Sequence, residues 1–100
     1  MTIVERYTKD PMRRVPEHLR EGLRRYILYG TPPGHFLMAV LEHELFESFN
    51  RADDASRAGL YDLVCYLYNE APSGCHGDKG AVGYWIAQHG LVGRDGLPLP

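Results

Sequence analysis

VPEHLREGLRRYILYGTPPGHFLMAVLEHELFESFN, residues 15–50, decides the fold. Pro16 suits a first helical turn, where its missing N–H goes unused. Leu19, Leu23 and Ile27 then recur every fourth residue with Tyr26 beside them, while Arg20, Arg24 and Arg25 fall largely off that stripe. Gly30 supplies the left-handed residue that ends such a helix. Thr31-Pro32-Pro33-Gly34 forms a rigid turn, because two prolines hold φ and a glycine relieves the backbone after them. A second helix is expected from about Pro33 to Asn50, with Leu37, Val40, Leu41, Leu45 and Phe49 on one face and Phe36 and Phe46 widening it, as in a central helix.

Downstream, Arg51-Ala52-Asp53-Asp54 interrupts the pattern, and either aspartate can cap the next helix. Leu60, Leu63, Val64 and Leu67 make a third stripe, with Tyr61, Cys65 and Tyr68 close to it. The spacing thus predicts helices over 16–29, 34–50 and 56–68. NEAPSGCHG at 69–77 reads as a loop, and Asp78 as the cap of a short last helix carrying Val82, Trp85, Ile86 and His89, ended by Gly90. Upstream, Pro11 and Pro16 keep a helix from running through from the start, so Thr2–Tyr7 reads as extended, like a short edge strand. The expected architecture is all-α: a compact bundle of three to four helices over 15–90, an extended N-terminal arm over 1–14 and a surface tail over 91–100.

One hundred residues, 44% hydrophobic and 24% charged, suit one small domain with a single core, too small to enclose a large cofactor as well. No apolar run approaches the ~20 residues of a membrane span, and the first fourteen residues lack a signal peptide's hydrophobic run, so a cytoplasmic protein is expected. Cys65 and Cys75 are too few for a disulfide scaffold and form no CxxC pair, which fits a reducing compartment. The net charge of −2 hides an asymmetry: residues 1–30 carry seven basic and four acidic side chains, residues 31–100 four basic and nine acidic. Such a dipole steers association or joins one copy's basic face to another's acidic face; direct nucleic-acid binding calls for a strongly basic domain instead.

From Val15 onward the chain resembles a family of small proteins of unassigned function encoded by tailed phages and prophages. The resemblance rests on VPEHLREGLRRYI (15–27), YGTPPGHFLMAVL (29–41), RAD (51–53) and LYNEAPSGCHG (67–77) followed by Trp85. It implies a phage setting, to act in the host cell, and supplies no catalytic residue. The chain departs from the family pattern at His43-Glu44, where the pattern has Asn-Asp, and at His76-Gly77-Asp78, where it has Trp-Gly-Ser.

Chemistry-bearing motifs are incomplete. His43-Glu44-Leu45-Phe46-Glu47 opens like the HExxH zinc element but has Glu47 in place of the second histidine; with His35 it offers a partial ligand set. Cys75-His76 places a thiol beside an imidazole, yet no oxyanion or helix-start signature surrounds them. These residues carry the enzymatic alternative, a metal- or thiol-dependent hydrolase.

The leading expectation is a non-enzymatic, cofactor-free binding protein, a homodimer, that inhibits a host process such as antiviral defence. Its partner is expected to be a host defence protein or, as an alternative, a small nucleotide immune signal sequestered between subunits. Arg20, Arg24 and Arg25 can fork onto phosphates or carboxylates, Tyr29 can stack beside them, and His35, Asn69 and His76 complete the expected contact set. Tyrosine and arginine are enriched at interfaces, and seven Tyr, three Phe and one Trp exceed what a small helical core needs.

Overall fold

Backbone hydrogen bonding along residues 2–96, the part of the chain described by this computed structural model, forms helices alone. They are α1 (Ile3–Lys9), α2 (Glu17–Tyr29), α3 (His35–Leu41), α4 (Leu45–Arg51), α5 (Asp54–Ala58), α6 (Leu60–Asn69), α7 (Lys79–Ala87) and α8 (Gly90–Arg94). The all-α expectation holds, but the long helices expected over 34–50 and 56–68 are each broken in two.

The first break has no glycine or proline to announce it. His43 stands at φ 58° just past α3; its N–H donates to the Val40 carbonyl (3.1 Å) and that of Glu44 to the Ala39 carbonyl (2.9 Å). This is the Schellman pattern of a helix end, with histidine where glycine is usual. The second break is at Gly59, against whose Cα the Pro16 ring packs so closely that a Cβ there would lie 2.2 Å from the proline Cγ.

The N-terminal segment is helical, not extended. Thr2 caps α1 by accepting from the Glu5 N–H (3.0 Å), and Tyr7 is buried with its hydroxyl donating to the Glu70 carbonyl. A cap and one buried aromatic anchor outweigh the reading of Thr2–Tyr7 as a strand, which has no other strand to pair with among the described residues. The surface-tail reading also changes: Leu91 and Val92 of α8 are buried, while residues 97–100 lie outside the described part. Gly90 opens α8 instead of ending α7.

The core collects Leu23, Tyr26 and Ile27 of α2, Leu37 and Leu41 of α3, Leu63, Tyr66 and Leu67 of α6, Trp85 of α7 and Leu91 of α8. Its buried polar tips are satisfied. Trp85 Nε1 donates to the Tyr26 carbonyl (2.9 Å), Tyr26 Oη to the Cys75 carbonyl (2.7 Å) and Tyr66 Oη to Asp10 Oδ2 (2.9 Å). Burial raises the pKa of both tyrosines, so these hydroxyls stay protonated donors. Asp53 and Asp78 cap α5 and α7 as their sequence positions suggest, accepting from Ser56 N–H (2.7 Å) and Ala81 N–H (2.8 Å).

Candidate functional site

The break at His43 redirects α4, and residues expected in the core are left outside. Leu45 and Phe49 are exposed, and Phe46 is 88% exposed; the only side chain α4 buries is Ser48, whose hydroxyl turns back to the Glu44 carbonyl (2.7 Å). On α6, Leu63, Tyr66 and Leu67 face inward, while Tyr61 (78% exposed), Val64 and Tyr68 (83% exposed) face solvent. Apart from Asp62, LYDLVCYLYN carries no charge, so α6 is apolar on both sides; a helix of that kind is normally covered on both.

Between α4 and α6 lies a groove of about 260 Å³, walled by Val40, Leu45, Leu60, Val64, Leu67 and Tyr68. Its polar edge is a histidine pair. His43 Nε2 and His76 Nδ1 are 2.8 Å apart with ring centroids at 5.1 Å, a hydrogen bond that requires a bare nitrogen on one ring. Desolvation first, and the neighbouring His43 second, lower the His76 pKa, against a smaller opposing effect of its backbone hydrogen bond with Leu67. The loop bearing His76 is tied to the end of α3 by Gly77 N–H donating to the Leu41 carbonyl (2.9 Å). His43 and His76, 33 positions apart in the chain, therefore touch each other.

Of the contact set expected from the sequence, His76 alone lines this groove, beside His43 of the partial metal-ligand set. Arg20 and Arg24 are occupied within the fold: Arg20 Nε donates to the Met12 (3.0 Å) and Val15 (2.9 Å) carbonyls, and Arg24 donates to the carbonyls of Tyr7 and Asp10. Together they fasten the link between α1 and α2. Arg25 forms an exposed pair with Glu21 (3.1 Å), Tyr29 is half-buried against the core, and Asn69 donates to the Cys65 carbonyl (3.0 Å). The structure thus disperses the arginine cluster into separate roles.

His35 lines a different, polar depression with Glu42, Glu44, Glu47, Arg51 and Lys79, so the His35, His43 and Glu47 set is not brought together. Among the described residues no three His, Cys, Asp or Glu side chains converge as metal ligands. Cys75 is fully buried, which pushes its thiol up to about 12, the opposite of what a thiolate nucleophile needs, and its neighbour His76 turns toward His43. No helix among the described residues is long and apolar enough to cross a membrane.

Val64, Leu45 and the outward tyrosines were missed as site residues because their heptad-like spacing reads as core. The available signal was the near absence of charge around α6. No family model matches the chain, and no curated protein or solved structure matches it.

Proposed function

We propose that this chain is a non-enzymatic binding protein that takes a host protein against its α4–α6 face and thereby inhibits a host process, antiviral defence in the first instance. One observation carries the reading: two adjoining helices leave Leu45, Phe46, Phe49, Tyr61, Val64 and Tyr68 in water around a preformed apolar groove. Covering one large apolar side chain is worth about 1.5–3 kcal/mol, and tyrosine is a favoured interface anchor. The phage setting comes from the family resemblance, and it makes a host protein the partner.

A nucleotide signal is served less well. Two of the three arginines that would hold its phosphates, Arg20 and Arg24, are engaged by backbone carbonyls, and the walls of the groove are apolar. The test is phage plating on a panel of strains, each carrying one antiviral defence system and expressing the protein. Wild type should restore plating on at least one strain, and Val64→Ser with Tyr68→Ser should abolish that rescue while Arg25→Glu retains it. Rescue that survives loss of both groove residues would overturn the reading.

A further inference from the structure

We infer that His43 and His76 form a two-imidazole site for a divalent cation of the zinc class at the polar edge of the groove, a site that stands whatever partner the groove takes. His43 Nε2 and His76 Nδ1 face each other across 2.8 Å, and two ring nitrogens this close share one proton. His76 also donates to the Leu67 backbone, which fixes its tautomer and leaves Nδ1 bare. A backbone carbonyl behind an imidazole is the usual support of a metal-binding histidine, because it holds the ring and raises the basicity of the free nitrogen. The opposite ring is aimed by the main chain. His43 stands at φ 58°, a left-handed backbone that glycine or asparagine adopts at less steric cost, and Gly77 N–H on the Leu41 carbonyl (2.9 Å) fixes the loop bearing His76 to the end of α3. Both rings are thus positioned by backbone, and strain of this kind concentrates at functional sites.

A metal ion takes the place of the shared proton. Zn–N bonds of about 2.0–2.1 Å in tetrahedral geometry set the two nitrogens about 3.4 Å apart, so the rings must part by roughly half an ångström. A small side-chain rotation of the exposed His43 supplies that movement. The proton moves from His43 Nε2 to Nδ1 of the same ring, so both imidazoles are neutral before and after and none is released. Donor chemistry selects the ion: imidazole suits Zn²⁺, Ni²⁺ and Cu²⁺, whereas Mg²⁺ and Ca²⁺ call for oxygen ligands, and no carboxylate lines the groove. Among the described residues no third His, Cys, Asp or Glu converges with the pair, so water completes the coordination.

The experiment uses the full chain, untagged and stripped with chelator, titrated with Zn²⁺. Long-range ¹H–¹⁵N spectra of the histidine side chains should show His43 Nε2 and His76 Nδ1 shifting ahead of every other ring nitrogen, and calorimetry should give one ion per chain. His43→Asn, which keeps the left-handed backbone accessible, and His76→Asn should each weaken binding about tenfold or more, because each leaves a single imidazole. His35→Asn, in the separate polar depression, should bind as wild type, and Mg²⁺ should shift neither nitrogen. Zn²⁺ that leaves both nitrogens unshifted in the wild-type chain would overturn the inference, and that reading does not depend on any variant folding. So would equally tight binding by His43→Asn, or binding abolished by His35→Asn, which would assign the ion to the polar depression.

Discussion

Gly30 and Gly90 meet backbone to backbone where α2 ends and α8 begins. A methyl group on Gly90 would lie 2.7 Å from the Gly30 nitrogen and from the Ile27 carbonyl oxygen, and one on Gly30 would lie 3.0 Å from the Gly90 nitrogen. Both residues have left-handed backbones, φ 71° and 64°. Gly90→Ala therefore combines a strained φ with a steric clash and should cost about 2–5 kcal/mol. Gly83, inside α7 with nothing near its missing Cβ, is the control: Gly83→Ala should stabilise by up to ~1 kcal/mol. Thermal melts of the two variants moving in the same direction would contradict this packing.

Arg24 and Arg25 are neighbours with different work. Arg24→Ala leaves the Tyr7 and Asp10 carbonyls without their donor in a half-buried link and should cost about 1–3 kcal/mol in denaturant unfolding. Arg25→Ala removes only an exposed i,i+4 pair and should stay within about 0.5 kcal/mol. Equal losses would place the two side chains in the same role.

The His43–His76 contact makes a pH prediction. The folded His76 pKa lies below its ordinary 6.5, so the unfolded chain binds more protons than the folded one as that value is crossed. Its contribution to stability is whole above 6.5 and is lost as pH falls through 6.5 toward the depressed folded value. Denaturant unfolding at about pH 7.5 and about pH 5.5 should show the decline, and His76→Asn should reduce it. His43→Asn, which tolerates the left-handed backbone, should reduce it as well by removing the second imidazole. An unchanged pH slope in both variants would assign the loss to other groups.

Two positions on α6, Leu63 and Tyr68, should separate stability from binding. Leu63→Ala, at a fully buried side chain, should cost about 2–5 kcal/mol. Tyr68→Ser, at an exposed one, should stay within about 0.5 kcal/mol in the melt while weakening the rescue of phage plating. A Tyr68→Ser protein that unfolds easily would mean that the tyrosine is part of the core.

Local chemistry, readable in the sequence, determined the helical class, the start of α2 directly after Pro16 (which stands as the cap, one residue earlier than a first-turn position), its end at Gly30 and the aspartate caps of α5 and α7. Each depends on contacts within a few residues: a missing N–H, a positive φ, a carboxylate reaching three residues ahead. The inward stripe of α2 was legible for the same reason, since period alone places Leu23, Tyr26 and Ile27 together. What surrounds those stripes was decided by tertiary structure. Residues 34–50 hold, after Gly34, no glycine or proline that would separate a continuous helix from one broken at His43, and the contacts packed against the break, His76 on His43 and Gly77 N–H on the Leu41 carbonyl, come from a loop over thirty residues away. With α4 turned, Leu45, Phe46 and Phe49 exchanged core for surface, and Val64 and Tyr68 lost the neighbour that their spacing implied. Arg20 and Arg24 likewise read as a free basic cluster until the α1–α2 link folded its carbonyls onto them. Periodicity reports that a face is apolar; only the packed chain decides whether the protein itself covers it.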